Sequence, residues 1–292
     1  MSFTREAHRL MLDKNISAEI ITSRQNPTVK RLCALLEKKT RRRERAFRFD
    51  GIKLLLEAVA RDVAIELIAV SESVDESVWE QISALIRNGA IDENKILYVS
   101  EQVFDKISEE SSPEGVITVA RYIESRHKSV EAAADYFVET EKRILLVESM
   151  RDPGNLGTVI RTSAALGIEK LIITDDCADV YNPKTVRAAM GGLFSLDIDV
   201  VKVAELPALI GALISDGRRI YATALRNDAQ EIGNIKLARG DAFLIGNEGH
   251  GLSPKAIEVA SGVAIIPMTE GSESLNAAAA ATICIWETVR AK

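Results

Sequence analysis

The chain has 292 residues, 47% hydrophobic and 27% charged, a balance that suits about two globular domains and excludes a disordered tail. No apolar run approaches the ~20 residues of a membrane span. Cys33, Cys177 and Cys284 are scattered and odd in number, and His8, His127 and His250 are equally dispersed, so neither a disulfide framework nor a metal site is expected. The N-terminus lacks the apolar core of a secretory signal, which points to a cytoplasmic, metal-free protein.

Residues 1–20 read as a leader. The net charge of −6 then hides a concentration of cations: Arg24 to Arg48 carries ten Lys or Arg against two Glu, for +8, and leaves −14 on the rest. Such a patch on an acidic body suits a polyanion, although a lone basic run reads as readily as a solvated helix face. From Asn26 the spacing of Val29, Leu32, Leu35 and Leu36 predicts a helix with the basic residues on its other side. A helix is expected over 51–61, a strand over 64–70, a helix over 76–88, a strand over 96–99, a short helix over 102–108 and a strand over 115–120. This alternation describes a small α/β unit over residues 21–122. Residues 123–142 are charged and Ala-containing and read as a linker passing into a helix.

Over 143–292 the alternation strengthens. Strands are expected at 144–147, 170–174, 197–203, 219–224, 242–245 and 263–266, with helices at 156–166, 185–193, 206–215, 254–260 and 275–290. Short, nearly pure apolar strands between helices imply a parallel sheet covered on both faces. Ligands of such sheets bind beyond the carboxyl ends of the strands, where three segments are unusual. In Ser149–Arg161, a Pro-Gly turn leads into a helix for which Asn155 is the candidate N-cap, and Gly157 in the first turn suggests close backbone approach. Taken alone, this segment reads more readily with Asn155 as only a cap and Arg161 as a surface charge. Leu244–Ser253 holds G-x-x-G-x-G, which is not the Rossmann order, with Asn247 and Glu248 at the strand end. No P-loop sequence occurs. Ile265–Ala281 ends a strand at Pro267, passes Glu270, Glu273 and Ser274, and enters five consecutive alanines behind Asn276, itself a candidate cap.

Together these segments resemble the SpoU (TrmH-type) RNA ribose methyltransferases of the SPOUT superfamily. The likeness rests on D-P-x-N-x-G-x-x-x-R at Asp152–Arg161, I-G-N-E-G-x-G-L at Ile245–Leu252 and I-P-M…E-S-L-N at Ile266–Asn276. The I-T-S-x-x-N-P-x-V-K opening at Ile21–Lys30 is similar to the family's RNA-binding domain, a small α/β unit akin to certain large-subunit ribosomal proteins. The resemblance implies a trefoil-knotted parallel-sheet methyltransferase domain acting as a homodimer. It also implies methyl transfer from S-adenosylmethionine to a ribose 2′-hydroxyl of structured RNA. Ribosomal RNA is the expected substrate, with transfer RNA or a non-catalytic ribosome-assembly role as alternatives.

By motif match, Ala224, Leu225, Gly246, Ile266, Met268 and Leu275 would hold the cofactor, and Asn155, Arg161, Glu248, Ser274 and Asn276 would surround the reacting hydroxyl. Arg161 is the family's proposed base, yet a guanidinium seldom gives up its proton. It would serve as well by gripping a phosphate, with the hydroxyl proton leaving through phosphate, water or Glu248. Arg24, Lys30, Arg31, Lys38, Arg41, Arg42 and Arg43 are the candidate RNA contacts, and Phe47 and Phe49 the only aromatics in the basic run.

Overall fold

The computed structural model describes residues 20–269 and 274–291. Residues 1–19 of the expected leader, and Glu270 and Glu273 of the third segment, lie outside the described residues. The chain forms two compact units. One runs to Ile123 and takes in Tyr181–Pro183, and the other comprises Glu124–Val180 and the chain from Lys184 onward.

In the first unit, α1 (Pro27–Ala34) starts where expected: Asn26 accepts a hydrogen bond from Thr28 N at 2.8 Å, and Pro27 opens the helix. The basic run is not one solvated face. It divides into α2 (Lys38–Glu44) and a strand that the periodicity did not reveal, β1 (Ala46–Asp50), with Arg45 at φ 53° ending the helix between them. Then follow α3 (Ile52–Val59), β2 (Ile65–Ser71), α4 (Glu76–Arg87), β3 (Ile96–Val99), α5 (Glu101–Ile107) and β4 (Val116–Arg121). The sheet order is β1-β4-β2-β3, and only β2 and β3 run parallel. Leu32 and Leu35 of the first helix region meet Phe104, Ile117 and Val119 in its core.

That core corrects the reading of the basic run. Arg41 is 1% exposed and donates to Leu35 O at 3.0 Å and Leu36 O at 2.6 Å, satisfying carbonyls at the end of α1 that have no helical partner. Arg41 is therefore withdrawn from the candidate RNA contacts. Arg31 is half-buried between Glu44 at 2.8 Å and Glu66 at 2.6 Å. Arg48 is buried, donating to Ile107 O and pairing with Asp50. Phe47 and Phe49 belong to the core and are closed to base stacking. Arg24, Lys30, Lys38, Arg42 and Arg43 remain exposed.

The second unit opens with β5 (His127–Ser129) in the segment read as a linker. No α-helix forms there. A 3-10 turn at Ala133–Asp135 follows, and β5 covers the edge of β8 (Asp197–Val201) in parallel register. The remaining elements are β6 (Ile144–Val147), α6 (Pro153–Leu166), β7 (Lys170–Thr174), α7 (Pro183–Ala189), α8 (Gly192–Ser195), α9 (Leu206–Ser215), β9 (Ile220–Thr223), β10 (Gln230–Glu231), β11 (Ala242–Ile245), α10 (Pro254–Val259), β12 (Gly262–Ile265) and α11 (Ala277–Arg290). The sheet order is β10-β12-β9-β11-β6-β7-β8-β5, with every pair parallel. The helix expected over 185–193 is broken at Met190, whose φ is 50°, into α7 and α8.

Gly157 carries the close approach its position suggested. A Cβ there would lie 2.5 Å from Ala188 Cβ and 2.6 Å from Thr185 O, so α6 meets the α7 backbone with no room for a side chain. Gly157→Ala should destabilise the protein by about 1–3 kcal/mol despite alanine's better helix propensity, because overpacking outweighs it. Urea unfolding measures this, and an unchanged midpoint would mean that α7 yields freely.

Candidate active site

The carboxyl ends of β6, β9, β11 and β12 stand side by side, and the chain leaving each one turns into the same region. After β11, Gly246–Leu252 folds back on itself. Asn247 and Gly251 exchange backbone hydrogen bonds at 3.0 Å, and Asn247 Oδ1 accepts from Gly249 N at 2.8 Å and His250 N at 3.1 Å. Asn247 Nδ2 donates to Ser149 O at 2.7 Å, and Glu148, almost wholly buried, accepts from Ser253 N at 2.9 Å. The glycine-rich segment is thus a pinned loop. Gly246 makes its closure possible: a Cβ there would lie 2.5 Å from Gly251 C and 2.6 Å from Leu252 N.

Ser149, which receives that bond, sits at φ 56°, a strained setting for a residue with a side chain. It donates from Oγ to Asp176 at 2.6 Å, and Thr174 donates to the same carboxylate at 2.7 Å. Burial pushes the Asp176 carboxyl up, but these hydrogen bonds and Arg151 at 3.6 Å outweigh it, so the group is held below the ordinary carboxylate range. Burial likewise raises the neighbouring Cys177 thiol.

A cavity of about 660 Å³ opens at these strand ends. All six candidate cofactor residues line it: Ala224, Leu225, Gly246, Ile266, Met268 and Leu275. Glu248 and Ser274 line it too, as do Asn247 and His250. Its volume is in the range of small-molecule sites, and apolar residues line it together with polar ones. That combination suits an adenosine with an amino-acid tail. A second groove of about 770 Å³, lined by Tyr221, Asp228 and Glu258 among others, shares Arg226 and Ile257 with it and includes none of the motif residues.

Asn155 is not the N-cap of α6. Asp152 takes that role, accepting from Asn155 N at 2.7 Å, since Pro153 and Gly154 occupy the first helical positions. The Asn155 side chain is thereby released for the site: Nδ2 donates to Glu248 at 2.9 Å, and Oδ1 accepts from Asn276 Nδ2 at 3.0 Å. Asn276 does cap α11, accepting from Ala278 N at 2.9 Å and Ala279 N at 3.2 Å. The structure therefore joins Asn155, Glu248 and Asn276, places Ser274 with Glu248 on the cavity wall, and leaves Arg161 apart. Arg161 is exposed and does not line the cavity, and its side chain makes no hydrogen bond or ion pair with another described residue. It lies ~9 Å along α6 from Asn155 and ~240° around it.

Residues 142–286 match the SpoU rRNA Methylase family, and residues 26–118 match an MRM3-like substrate binding domain. A Bacillus subtilis protein, 23S rRNA (guanosine(2553)-2'-O)-methyltransferase RlmP, is 31% identical over 91% of this chain and 97% of its own length. The chain belongs to the SpoU rRNA methylase family. Two crystal structures of similar chains contain AdoMet. The rRNA methyltransferase from Sinorhizobium meliloti has a TM-score of 0.77 at 27% identity, over 94% of this chain and 98% of the other. The SpoU methyltransferase AviRb from Streptomyces viridochromogenes has 0.75 at 26%, over 91% and 98%.

Within this SpoU-family site the sequence motifs did not single out Ser149 or Asp176, which brace the loops. The positive φ of Ser149 arises from tertiary packing and has no sequence signature. Asn247 was legible as a polar strand end, and its spacing to Gly249 marks an Asx turn. Gly246→Ala should force the 246–252 loop open and weaken S-adenosylmethionine binding at least tenfold, or ~1.4 kcal/mol. Calorimetric titration tests this, and wild-type affinity would remove Gly246 from the cofactor wall.

Proposed function

We propose that the chain transfers a methyl group from S-adenosylmethionine to a ribose 2′-hydroxyl of ribosomal RNA. The observation that carries this is the cavity at the carboxyl ends of β9, β11 and β12, with a carboxylate at its wall held by Asn155, which is itself held by Asn276. The bound cofactor supplies an electrophilic methyl group. The chain's own residues supply the rest: Leu225, Ile266 and Leu275 offer apolar surface for the adenine, and Glu248, held by Asn155, presents a carboxylate to the hydroxyl. Orientation contributes heavily to such a transfer, because attack on the methyl carbon requires the nucleophile in line with the departing sulfur.

Large-subunit RNA is the favoured substrate. The Bacillus subtilis relative is named for a guanosine of 23S rRNA and a Streptomyces viridochromogenes relative for a uridine, so the base itself does not carry over. The exposed cations Arg24, Lys30, Lys38, Arg42 and Arg43 of the first unit are the proposed phosphate contacts. Replacing Lys38, Arg42 and Arg43 with alanine should weaken RNA binding and lower the magnitude of its log–log salt slope by about 2–3. Filter binding across a salt series checks this, and an unchanged slope would place the RNA on another face.

A cytoplasmic homodimer with a trefoil-knotted second unit completes the proposal. Support for a second copy comes from the outer face of α11, where Ala279 and the half-exposed Trp286 stand uncovered, and from Arg161 standing off the cavity in one copy. The insertion of β11 between β9 and β6, with α11 returning against both β11 and α6, suits a knotted chain path. Arg161→Ala should reduce methyl transfer by at least a hundredfold, the scale of one transition-state contact, while S-adenosylmethionine binding stays near wild type. Transfer of labelled methyl to unmodified large-subunit rRNA is the measurement, and retained turnover would strike Arg161 from the catalytic set.

A further inference from the structure

The hydrogen bonds reaching Glu248 fix more than its position. Ala278 N and Ala279 N both point at one atom of the Asn276 side chain, and a backbone N–H can only donate. That atom must be the amide oxygen, so the Asn276 amino group is what remains to face Asn155. Asn155 must answer with its own oxygen and turn its amino group to Glu248. Neither amide can be reversed without opposing two donors or two acceptors. Glu248 Oε1 is thereby committed as an acceptor. Its other oxygen, Oε2, has no hydrogen-bond partner among the described residues, and Glu248 lines the cavity.

Two other side chains compete for the hydroxyl proton. Arg161 carries a guanidinium, which is all donors and has no side-chain atom that accepts a hydrogen bond, whichever copy it reaches. His250 does line it, and imidazole is a common base, but its ring is hydrogen-bonded to no described residue; only its backbone N–H is held, by Asn247. A base has to be kept within hydrogen-bond reach of the proton it removes. Of the three, Glu248 is the one whose side chain the fold orients.

We propose that Oε2 of Glu248 takes the proton of the ribose 2′-hydroxyl, with Asn155 and Asn276 as positioning residues that aim it. This rests on the methyltransferase reading above. A bond forms between the methyl carbon and the 2′-oxygen, and the carbon–sulfur bond breaks with its electron pair retained by sulfur. The O–H bond breaks as its proton passes to Oε2 and then to water.

The test uses the full chain, tritiated S-adenosylmethionine and large-subunit rRNA from cells lacking the gene. Glu248→Gln keeps the shape and the acceptor for Asn155 but cannot take a proton. Its single-turnover rate should fall by ~10²–10⁴-fold and then rise about tenfold per pH unit as hydroxide takes over, with cofactor affinity by calorimetry within about threefold of wild type. Asn276→Asp separates positioning from capping. Aspartate caps a helix as well as asparagine does, so the urea midpoint should hold. The second carboxylate oxygen, however, would turn Asn155 round and set its oxygen against Glu248, lowering the rate without raising KM. A wild-type rate in Glu248→Gln, or a loss confined to His250→Ala, overturns the assignment. So does a wild-type rate in Asn276→Asp for the positioning role. If the unsubstituted chain methylates no ribose, the methyltransferase reading itself has failed.

Discussion

At the start of α11 the N–H groups of Ala278 and Ala279 have no carbonyl one turn back to bond. Asn276 answers both with one oxygen, and much of the site follows from that single cap. The cap fixes where the helix begins, which sets Ala277 and Ala280 against the cavity and buries Ala278 and Ala281 on the inner side. It also uses up the acceptor of Asn276, so polarity is transmitted through Asn155 to Glu248 with no freedom to reverse. A structural requirement worth about 1 kcal/mol in an ordinary helix here sets the chemistry of a carboxylate two side chains away.

The cavity depends on a second constraint, the close approach of backbones. Gly246 lets the chain leaving β11 double back against Gly251 and Leu252, and Gly157 lets α6 settle on α7. Both glycines adjoin residues with functional assignments, Gly246 just before Asn247 and Glu248, Gly157 two residues after Asn155. A methyl group at either place would displace the side chains beside it. This accounts for glycine in a helix interior, where its conformational entropy is otherwise unfavourable.

Most of the parallel sheet was legible, because strands buried on both faces are short apolar runs, and β6, β7 and β11 carry the expected bounds. What escaped was decided by tertiary partners. The β1 sequence AFRFD looks like part of a basic stretch, and it becomes a strand because β4 offers it a ladder and the core offers Phe47 and Phe49 a place. The 123–142 segment has helix-compatible composition, yet His127–Ser129 pairs with the edge of β8. In the site, the motif residues assigned to the cofactor line one cavity, while the reading of the turn put the wrong residue at the cap of α6. Asp152 and Asn155 are both good capping residues, and only the position of Pro153, which suits the first turn, places Asp152 at the cap. What the sequence could not show is the bond from Asn155 to Glu248, since a capping side chain would not have been available for it.

The arginines make the same point about charge. A sequence counts Arg41, Arg48 and Arg42 alike, although burial divides them into two kinds of residue. Arg41 and Arg48 reach inward to carbonyls that no backbone donor satisfies, each doing for helix ends and loop carbonyls what a cap would do. Arg42 and Lys38 have no such partner to reach and stay at the surface, where a cation can release counterions from a phosphate chain. The ten cations between Arg24 and Arg48 therefore overstate the polyanion contact, and the buried ones bind the first unit together instead. Arg161 belongs with the exposed kind, as a fixed positive charge on α6 that no described carboxylate neutralises. Its charge is thus available to a phosphate, while proton removal falls to a carboxylate that the fold has oriented. Anion grip and base are then separate residues, which the differing acceptor chemistry of guanidinium and carboxylate requires.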